Sequence, residues 1–528
     1  MTMKNKFYLN DYLDPKRRAR LFLGTTLLVC LLVTGLVTSR VVFTSETWIF
    51  SALWVFGFAF LFFNVAYLFL LSLAHPFIKE PVLKETYVKR IPKTALVYPI
   101  RNEPHGLSER IDYSFSGNKL PDTDLWILSD SSEDFGPYER NLVAKLERLH
   151  PGRVFYRRRE NPVERKQGNI GEFIHSHTEY KYVYVCDADG MVPKGTLLKL
   201  LRKAEHPENR DIAIFQCLIR IAHATTWYSR FERIGAYFAQ RFSFSAFQAM
   251  FGETVSFGHH HLARTEALRK IRIPRGLLSH DNWDTVRLRQ AGYRVVFCPD
   301  VYAYDEAPAN YLESRARTSR WAQGTLQGWP LVFEPKITLA TRFLAFYGIY
   351  LYLSDLVFFY WVILGILSHS ELTGELIHFE IDSIWMGLYT NSTLKWILIF
   401  SIGVVFFHKV TILKSWRDVR EYFYELLMST LITLNNFVYA PIDILSIPLK
   451  KLNWKPMLKD PFAKISFRVT ARNLWLGTAF GVLGLLFILM NVHYFIWQAT
   501  PILASLILSI PAVYLTSKTV PQELRSWI

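Results

Sequence analysis

The sequence predicts a multi-pass α-helical membrane protein with one α/β domain inserted between its membrane helices. Hydrophobic residues make up 51% of the 528-residue chain and concentrate in long apolar runs near both ends. Residues 94–333 have a normal globular composition, in which short apolar strands alternate with amphipathic stretches. Within this part, a buried strand ends abruptly at Asp187-Ala188-Asp189-Gly190. These observations indicate a Rossmann-like, nucleotide-binding sheet with helices on both faces.

Six apolar runs have about the 20 residues that suffice to cross a bilayer. Lys and Arg collect on the cytoplasmic side of membrane helices, so the flanks of the runs set their orientation. Lys16, Arg17 and Arg18 precede the first run, which predicts a membrane anchor entering from the cytoplasm rather than a cleaved signal peptide. The predicted spans are 21–38, 48–74, 343–367, 396–413, 474–490 and 495–515.

Residues 422–447 are also apolar, but basic residues such as Lys414 and Lys450 place both of their flanks in the cytoplasm. The segment 368–394, which contains no Lys or Arg, is predicted to lie outside. Asn435-Asn436 and Pro441 interrupt residues 422–447, so an interfacial helix or a re-entrant element is expected there. The predicted domains are the cytoplasmic amino terminus with two spans (1–90), the α/β domain (91–335), two spans (336–421), the interfacial segment (422–473), and two spans with a cytoplasmic tail (474–528).

The formal net charge of +16 does not require a nucleic-acid partner, because the cytoplasmic flanks of membrane helices account for many basic residues. The α/β domain also lacks a stripe of basic and aromatic residues of the nucleic-acid-binding kind. Four cysteines have neither a paired spacing nor a zinc-binding pattern. We therefore expect free thiols in a reducing compartment and no nucleic-acid partner.

Six strands are predicted for the α/β domain, with amphipathic helices between them. The strands are 95–99, 125–129, 153–156, 182–186, 212–216 and 295–298, and the helices include 108–115, 138–149, 196–204 and 283–291.

Asp187 and Asp189 follow the fourth predicted strand. Alternate residues of an extended chain face the same side, so the two carboxylates can point to one place. Hard oxygen donors suit Mg²⁺ or Mn²⁺, and open α/β sheets bind their ligands at the carboxyl ends of the strands. The pair therefore predicts a metal site that carries a substrate diphosphate. The structural alternative is a turn that contains Asp and Gly for backbone reasons alone.

Polar residues near three other strands predict nucleotide contacts. Asn102 and Glu103 can reach a base or a ribose, and Asp130 lies where a carboxylate can contact the base. Lys166 stands with a glycine before a helix start and can hold phosphate oxygens. The alternatives are polar turns at the first two places and a basic loop facing anionic lipid at the third.

Three stretches near the end of the domain suggest acceptor chemistry. Neighbouring residues of a strand face opposite ways, so the histidines at 259–261 are not expected to converge on zinc, and His260 is placed near the acceptor. Asp281 is a candidate general base that His280 orients, or otherwise a helix cap worth about 1 kcal/mol. Arg320 offers a bidentate phosphate partner and Trp321 a flat face for a sugar ring, unless both belong to an interface helix that anchors the domain.

The order and spacing of five motifs resemble those of family-2 inverting glycosyltransferases of the membrane-embedded, processive kind. Within that family they are most similar to the osmoregulated periplasmic glucan glucosyltransferases, the OpgH type. The resemblance covers roughly residues 94–330 and implies a GT-A glycosyltransferase domain. The motifs are Tyr-Arg-Arg-Arg at 156–159, Lys-X-Gly-Asn-Ile at 166–170, Asp-Ala-Asp at 187–189, Leu-Ser-His-Asp at 278–281 and Arg-X-X-Arg-Trp at 317–321.

The membrane segments are similar in their order to bacterial cellulose synthase catalytic subunits. Residues 467–472 resemble the gating loop of that family, which implies donor contacts for Thr470 and Arg472. Three features depart from the family pattern. Ser279-His280-Asp281 replaces Thr-Glu-Asp, Arg317 stands where Gln usually opens the Gln-X-X-Arg-Trp motif, and the sequence shows neither a long amino-terminal extension nor a cyclic-di-GMP-binding domain.

The resemblance implies a hexosyltransferase that polymerises glucose from UDP-glucose into a β-glucan and exports it across the bacterial cytoplasmic membrane. Its partners would be the nucleotide sugar, the growing polysaccharide, the lipid bilayer and an unidentified protein on the outer face. The alternatives are a non-processive transferase that adds a sugar to a lipid carrier and, more remotely, a nucleotide-sensing transporter. The implied site consists of Asp281 as the base, Asp187 and Asp189 for Mg²⁺ or Mn²⁺, the donor contacts Asn102, Glu103, Asp130, Lys166, Asp187, Arg320, Thr470 and Arg472, and the acceptor contacts His260, His280 and Trp321.

Overall fold

The computed structural model describes residues 8–45, 47–103, 106–367, 378–379, 392–449, 465–491 and 496–525. An α/β domain with a mixed sheet lies in sequence between two groups of long apolar helices. The predicted fold class is therefore confirmed. The predicted outer segment 368–394 and the basic residues Lys450, Lys451, Lys455 and Lys459 lie largely or wholly outside the described residues.

Seven strands form the sheet of the α/β domain, in the order β3-β2-β1-β4-β6-β5-β7. Strand β6 runs antiparallel to both of its neighbours, and the other neighbouring pairs are parallel. The carboxyl ends of β1, β2, β4, β5 and β7 consequently share one edge, where β6 begins. The strands are β1 Thr94–Ile100, β2 Thr123–Ser129, β3 Val154–Arg158, β4 Tyr182–Val185, β5 Ile212–Ile221, β6 His261–Arg264 and β7 Arg294–Asp305.

Three strand features differ from the prediction. Strand β5 continues to Ile221, past the predicted end at Gln216. Strand β6 was not expected, because the four residues His-Leu-Ala-Arg are too short to show an alternating pattern. Strand β7 continues to Asp305, past the predicted end at Cys298. Its register against β5 shifts just after Cys298, so the strand resumes beyond an irregularity that the sequence pattern does not reveal.

Both faces of the sheet are buried, as the predicted helix layers require. Leu96 and Tyr98 of β1 enter one apolar cluster, whereas their neighbours Ala95 and Val97 enter another on the opposite face. Helices α4, α5 and α7 cover the first face, and α6, α10 and α11 cover the second. The helices of the domain are α4 Leu107–Asn118, α5 Gly136–Leu149, α6 Arg165–Ser176, α7 Thr196–Glu205, α8 Trp227–Ala239, α9 Ser245–Phe251, α10 Thr265–Arg269, α11 Asp281–Gln290 and α12 Tyr311–Leu326.

Five described helices are long and apolar enough to cross a membrane, and a bent pair raises the number to as many as six. The last predicted span is therefore not one straight helix, because its halves meet at 64°. Pro511 lacks the N–H that would bond the Ile507 carbonyl, which accounts for a break at this place. The remaining helices are α1 Leu9–Tyr12, α2 Pro15–Thr38, α3 Trp48–Ala74, α13 Leu339–Leu367, α14 Ser392–Phe407, α15 Trp416–Ile432, α16 Asn436–Leu445, α17 Phe467–Asn491, α18 Ile496–Ile507 and α19 Ser509–Thr516.

The predicted interfacial segment forms two helices, α15 and α16, which meet at Asn435-Asn436 as expected. Pro441 lies inside α16 and does not interrupt it. One side of α15 exposes the apolar residues Trp416, Phe423 and Leu427.

The gating-loop prediction for residues 467–472 is wrong in its conformation. These residues form the first turns of α17, and the hydroxyl of Thr470 donates to the Ser466 carbonyl at 3.1 Å. Helix formation is favoured because the apolar face at this end packs against α15 and α16, with Leu474 fully buried there.

Candidate active site at the carboxyl edge of the sheet

Asp187 and Asp189 follow strand β4 and lie at the carboxyl edge of the sheet. A turn follows the strand, in which the Gly190 N–H donates to the Asp187 carbonyl at 2.9 Å. The hydroxyl of Tyr98 donates to the Gly190 carbonyl at 3.3 Å and ties this turn to β1. A side chain at Gly190 would overlap the ring of His260, so the close packing explains the glycine.

Lys166 joins helix α6 to this turn. It is the second residue of the helix, which begins before the point that the sequence pattern indicates. Its ammonium pairs with Asp187 and donates to the Gly258 carbonyl at 2.7 Å. Lys166 therefore stands where a cation can contact an anionic ligand bound at Asp187.

Gly258, which accepts from Lys166, also lies against Asp281. Its φ angle is +74°, and an added Cβ would overlap the carboxylate of Asp281. Asp281 begins α11, and the hydroxyl of Ser279 donates to its Oδ2 at 3.0 Å. The side chains of Asp187 and Asp281 keep 35% and 32% of their surfaces exposed, so both remain accessible to ligands.

His280 lies between two carboxylates. Its Nδ1 is 2.6 Å from Oδ2 of Asp284 and 3.7 Å from Oδ1 of Asp281. Burial opposes the positive charge of His280, but Asp284 and Asp281 outweigh burial and raise the pKa of the imidazole. His280 is therefore held by Asp284, and its charge lies close to Asp281.

His259 and Asp305 belong to the cluster, although neither was singled out from the sequence. His259 Nε2 is 3.0 Å from Asp305 Oδ2, and its Nδ1 is 3.8 Å from Asp187 Oδ2. Burial, followed by the charge of Asp189, raises the pKa of Asp305 to about 6. Burial lowers the pKa of His259, but Asp187 and Asp305 together raise it to about 9. The histidine run was a visible signal for His259, whereas Asp305 lay beyond the predicted end of its strand.

The expectation that successive histidines point apart is wrong here. His259, His260 and Asp305 place their ligand atoms within 4.8 Å of one another. The reason is the backbone, because Gly258 and His260 both have positive φ and the chain is not extended. His260 is fully buried, so the predicted contact of this residue with the acceptor is contradicted as well.

The donor groups of this cluster fit a divalent cation. Three carboxylates, those of Asp187, Asp189 and Asp305, interact electrostatically in one place. Carboxylate oxygens with an imidazole nitrogen suit Mn²⁺ or Mg²⁺. His260 adds ring nitrogens that are buried without a hydrogen-bond partner among the described residues.

The other residues predicted to contact the donor differ in how accessible they are to a ligand. Asn102 links the ends of β1 and β2, because its side-chain oxygen Oδ1 accepts from the Ser132 N–H at 2.9 Å. Glu103 follows Asn102 and is half-buried. Asp130 is contradicted as an open contact for the base. It is buried, and both of its oxygens accept from Arg159 at 2.7 Å.

Arg320 and Trp321 lie on α12, which packs against the segment that carries Asp281. The close contact is at Gly324, where an added Cβ would be 2.7 Å from the Cβ of Ser279. Trp321 keeps 51% of its surface exposed. In contrast, Thr470 is fully buried in α17, and no ion pair joins Arg472 to the sheet edge within the described ranges.

The chain is similar to known proteins in sequence. Residues 182–410 match the family described as glycosyl transferase family group 2. The chain is 26% identical over 474 residues to a glucans biosynthesis glucosyltransferase H of Pseudomonas aeruginosa (strain LESB58), covering 81% of this chain and 54% of that protein. The relative of the same name from Pseudomonas putida (strain W619) is 27% identical over 494 residues, with coverages of 83% and 55%.

The chain thus spans about half the length of these curated relatives. Among solved structures, a mannosyltransferase from Pyrobaculum calidifontis in complex with GDP-Man and Mn²⁺ matches with a TM-score of 0.49 and 14% identity, covering 75% of this chain and 99% of that one. From these comparisons, residues 182–410 are similar to the family described as glycosyl transferase family group 2, and the chain resembles the glucans biosynthesis glucosyltransferases H over most of its own length.

Proposed function

We propose that this protein is a membrane-embedded inverting glycosyltransferase that polymerises glucose from UDP-glucose into a β-glucan and exports the product. One observation carries the proposal: Gly258 is linked to Asp187 through Lys166 and lies directly against the carboxylate of Asp281. Lys166 bridges Asp187 and the Gly258 carbonyl, and the Asp281 carboxylate packs on the Gly258 Cα. A diphosphate site and a candidate base therefore flank a common space at the sheet edge.

The diphosphate of the donor would bind on the side of Asp187. Asp187, Asp189 and Asp305 would hold Mg²⁺ or Mn²⁺, which supplies positive charge to the leaving diphosphate. Lys166 would contact the same anion directly. Arg320 of α12 would also contact the diphosphate, because a guanidinium can bind two phosphate oxygens at once.

Asp281 would act as the general base. It would take the proton from an acceptor hydroxyl while that oxygen attacks the anomeric carbon from the face opposite the diphosphate. The bond to the diphosphate breaks as the new glycosidic bond forms, so an α-linked donor gives a β-glycoside. The Ser279 hydroxyl, which donates to the carboxylate, would fix its direction, and the charge of His280 lies close to it.

The acceptor would lie on Trp321, whose half-exposed ring suits stacking under a sugar. Helix α12 is followed by α13, a candidate membrane span that contains Asp355. An acid within a membrane helix is costly and by default marks a polar path. We place the exit of the polymer beside Asp355, the α/β domain in the cytoplasm, and the apolar helices in the bacterial cytoplasmic membrane, as the basic flanks of the first two helices favour.

The test is UDP release by the purified full-length protein in nanodiscs with Mg²⁺ or Mn²⁺ and single nucleotide sugars. UDP-glucose alone should yield a β-glucan, and Asp281→Asn should lower turnover by about 10²- to 10⁴-fold with donor binding retained. Asp211→Asn is the matched control, because Asp211 pairs with Arg294 at the start of β7, far from the carboxyl edge. Turnover that requires an added lipid acceptor would favour the lipid-carrier transferase instead, and unchanged turnover in Asp281→Asn would refute the assignment of the base.

A further inference from the structure

Arg317, which stands where related motifs have Gln, is tied to helix α8 by an ion pair. Its Nη2 donates to Oε2 of Glu232 at 2.7 Å. The other oxygen of Glu232 accepts from the hydroxyls of Ser314 at 2.6 Å and Tyr228 at 2.8 Å. The side chains of Arg317 and Glu232 are only 18% and 20% exposed. A largely desolvated pair with this many hydrogen bonds has a fixed geometry.

The same guanidinium lies over the ring of Trp321. The central carbon of the Arg317 guanidinium is 4.6 Å from the ring centroid. Trp321 follows Arg317 by four residues on α12, which places the two side chains on the same face of the helix. Trp321 is half-exposed, and an exposed ring that lacks a neighbour can rotate between rotamers. Stacking under a fixed cation removes that freedom.

We propose that Arg317, held by Glu232, is a positioning residue that fixes the Trp321 ring beneath the acceptor sugar. The inference rests on the proposed function, since it takes Trp321 as the acceptor platform. Gln, the residue usual at position 317 in related motifs, has no charge and makes neither the ion pair with Glu232 nor the cation–π contact. In this chain, Arg317 therefore links the platform to α8.

A loose platform has a defined chemical consequence. When the acceptor hydroxyl is out of line with Asp281, water can take its place on the anomeric carbon. Asp281 then accepts the proton of the water, the bond from the anomeric carbon to the diphosphate breaks, and free glucose leaves instead of a longer glycan. The ratio of free to incorporated glucose consequently reports the position of the acceptor, and general destabilisation does not change it.

The experiment compares Arg317→Gln, Glu232→Gln and Trp321→Ala in the full-length protein in nanodiscs, with radiolabelled UDP-glucose and Mn²⁺. We expect the ratio of free to incorporated glucose to rise about fivefold to tenfold in Arg317→Gln and Trp321→Ala, the range of a desolvated cation–π contact. The KM for UDP-glucose should stay unchanged. Arg317→Lys should not restore the wild-type ratio, because an ammonium cannot stack flat on the Trp321 ring as a guanidinium does. The double variant Arg317→Gln/Trp321→Ala should equal Trp321→Ala alone.

Arg315→Gln is the control. Arg315 lies on the same helix and also has an ion pair, with Asp443 at 2.9 Å, and a ring contact, with Tyr439 at 4.2 Å. This variant should keep the wild-type ratio. An unchanged ratio in Arg317→Gln, or additive effects in the double variant, would overturn the inference. If Arg317→Gln does not fold, the ratio of free to incorporated glucose in Glu232→Gln tests the inference instead, because that substitution preserves the volume of the side chain. A wild-type protein that turns over no nucleotide sugar would overturn the proposed function and this inference together.

Discussion

Gly258 is the residue on which the geometry of the site depends most directly. Its φ of +74° favours glycine, and its Cα touches the carboxylate of Asp281. We expect Gly258→Ala to lower the rate of UDP release by about 100-fold, because a catalytic group displaced by about 1 Å loses that much. The comparison is with Gly292→Ala, where φ is +89° but nothing lies within 4 Å of the added Cβ.

The two alanine variants share the backbone penalty of a positive φ, about 1–2 kcal/mol. Gly258→Ala adds the overlap with Asp281, so its melting temperature should fall at least as far as that of Gly292→Ala. The rate of UDP release should fall strongly in Gly258→Ala alone. Equal losses of activity in the two variants would mean that backbone strain, not the displacement of Asp281, limits turnover.

His280 gives a pH dependence whose sign follows from its neighbours. Burial disfavours its charge, yet Asp284 and Asp281 raise its pKa above the ordinary value of about 6.5. The stabilisation from charged His280 is therefore fully present below about pH 6.5 and is lost as the pH rises through the raised pKa. The melting temperature should fall over that interval, and His280→Gln should flatten the curve. An identical pH profile in the variant would contradict this role of His280.

At the scale of elements, helix α12 is docked through Gly324. Gly to Ala inside a helix is ordinarily stabilising by about 1 kcal/mol. At position 324, the new Cβ would be 2.7 Å from the Cβ of Ser279 and would separate α12 from the Asp281 segment. We therefore expect Gly324→Ala to be destabilising and to slow transfer.

The helical control for that variant is Gly171→Ala. Gly171 lies in α6, and nothing stands within 4 Å of an added Cβ. Thermal unfolding should show a gain for Gly171→Ala and a loss for Gly324→Ala. A gain at both positions would show that α12 can shift without cost.

The strands and helices also show which parts of the fold the sequence pattern predicts and which it does not. Short apolar runs predicted six strands of the sheet, because strands that are buried on both faces are apolar along most of their length. The short antiparallel strand β6 was missed, since four residues carry too little pattern. The gating-loop likeness at 467–472 rested on local sequence, whereas the packing of α17 on α15 and α16 fixes those residues as helix.

The residues of the candidate site likewise fall into those that local sequence predicts and those that it does not. Carboxylates placed directly after or before an element, such as Asp187 and Asp281, were found because the element boundary is visible in the sequence. Asp305 was missed because its strand resumes after an irregularity. Asp130 was found at the right strand end, but its ion pair with Arg159 depends on a residue 29 positions away, which no local pattern reveals.

At the scale of the whole molecule, the α/β domain is fastened to the apolar helices through α8. Arg230 of α8 donates to both oxygens of Glu421 on α15, at 3.0 and 3.1 Å, and lies 4.7 Å from the Tyr424 ring centroid. The carboxyl-terminal segment adds backbone bonds, because the Val520 N–H donates to the Thr225 carbonyl just before α8, at 2.9 Å. Helix α8 also carries Glu232, so this attachment holds the partner of Arg317.

Removing Glu421 should therefore loosen the domain as a unit. Only 10% of each side chain of the Arg230–Glu421 pair is exposed, and loss of one partner of a buried pair costs about 3–5 kcal/mol. In Glu421→Ala, hydrogen exchange should accelerate across α8 and α15 but not in the sheet core around β1 and β4.

The control is Glu208→Ala, which breaks an ion pair between Glu208 and Lys84. Their side chains are 62% and 65% exposed, so hydrogen exchange in this variant should match that of the wild type. Accelerated exchange throughout the sheet in Glu421→Ala would instead mean that the pair stabilises the α/β domain itself, and that the attachment to the apolar helices rests on other contacts.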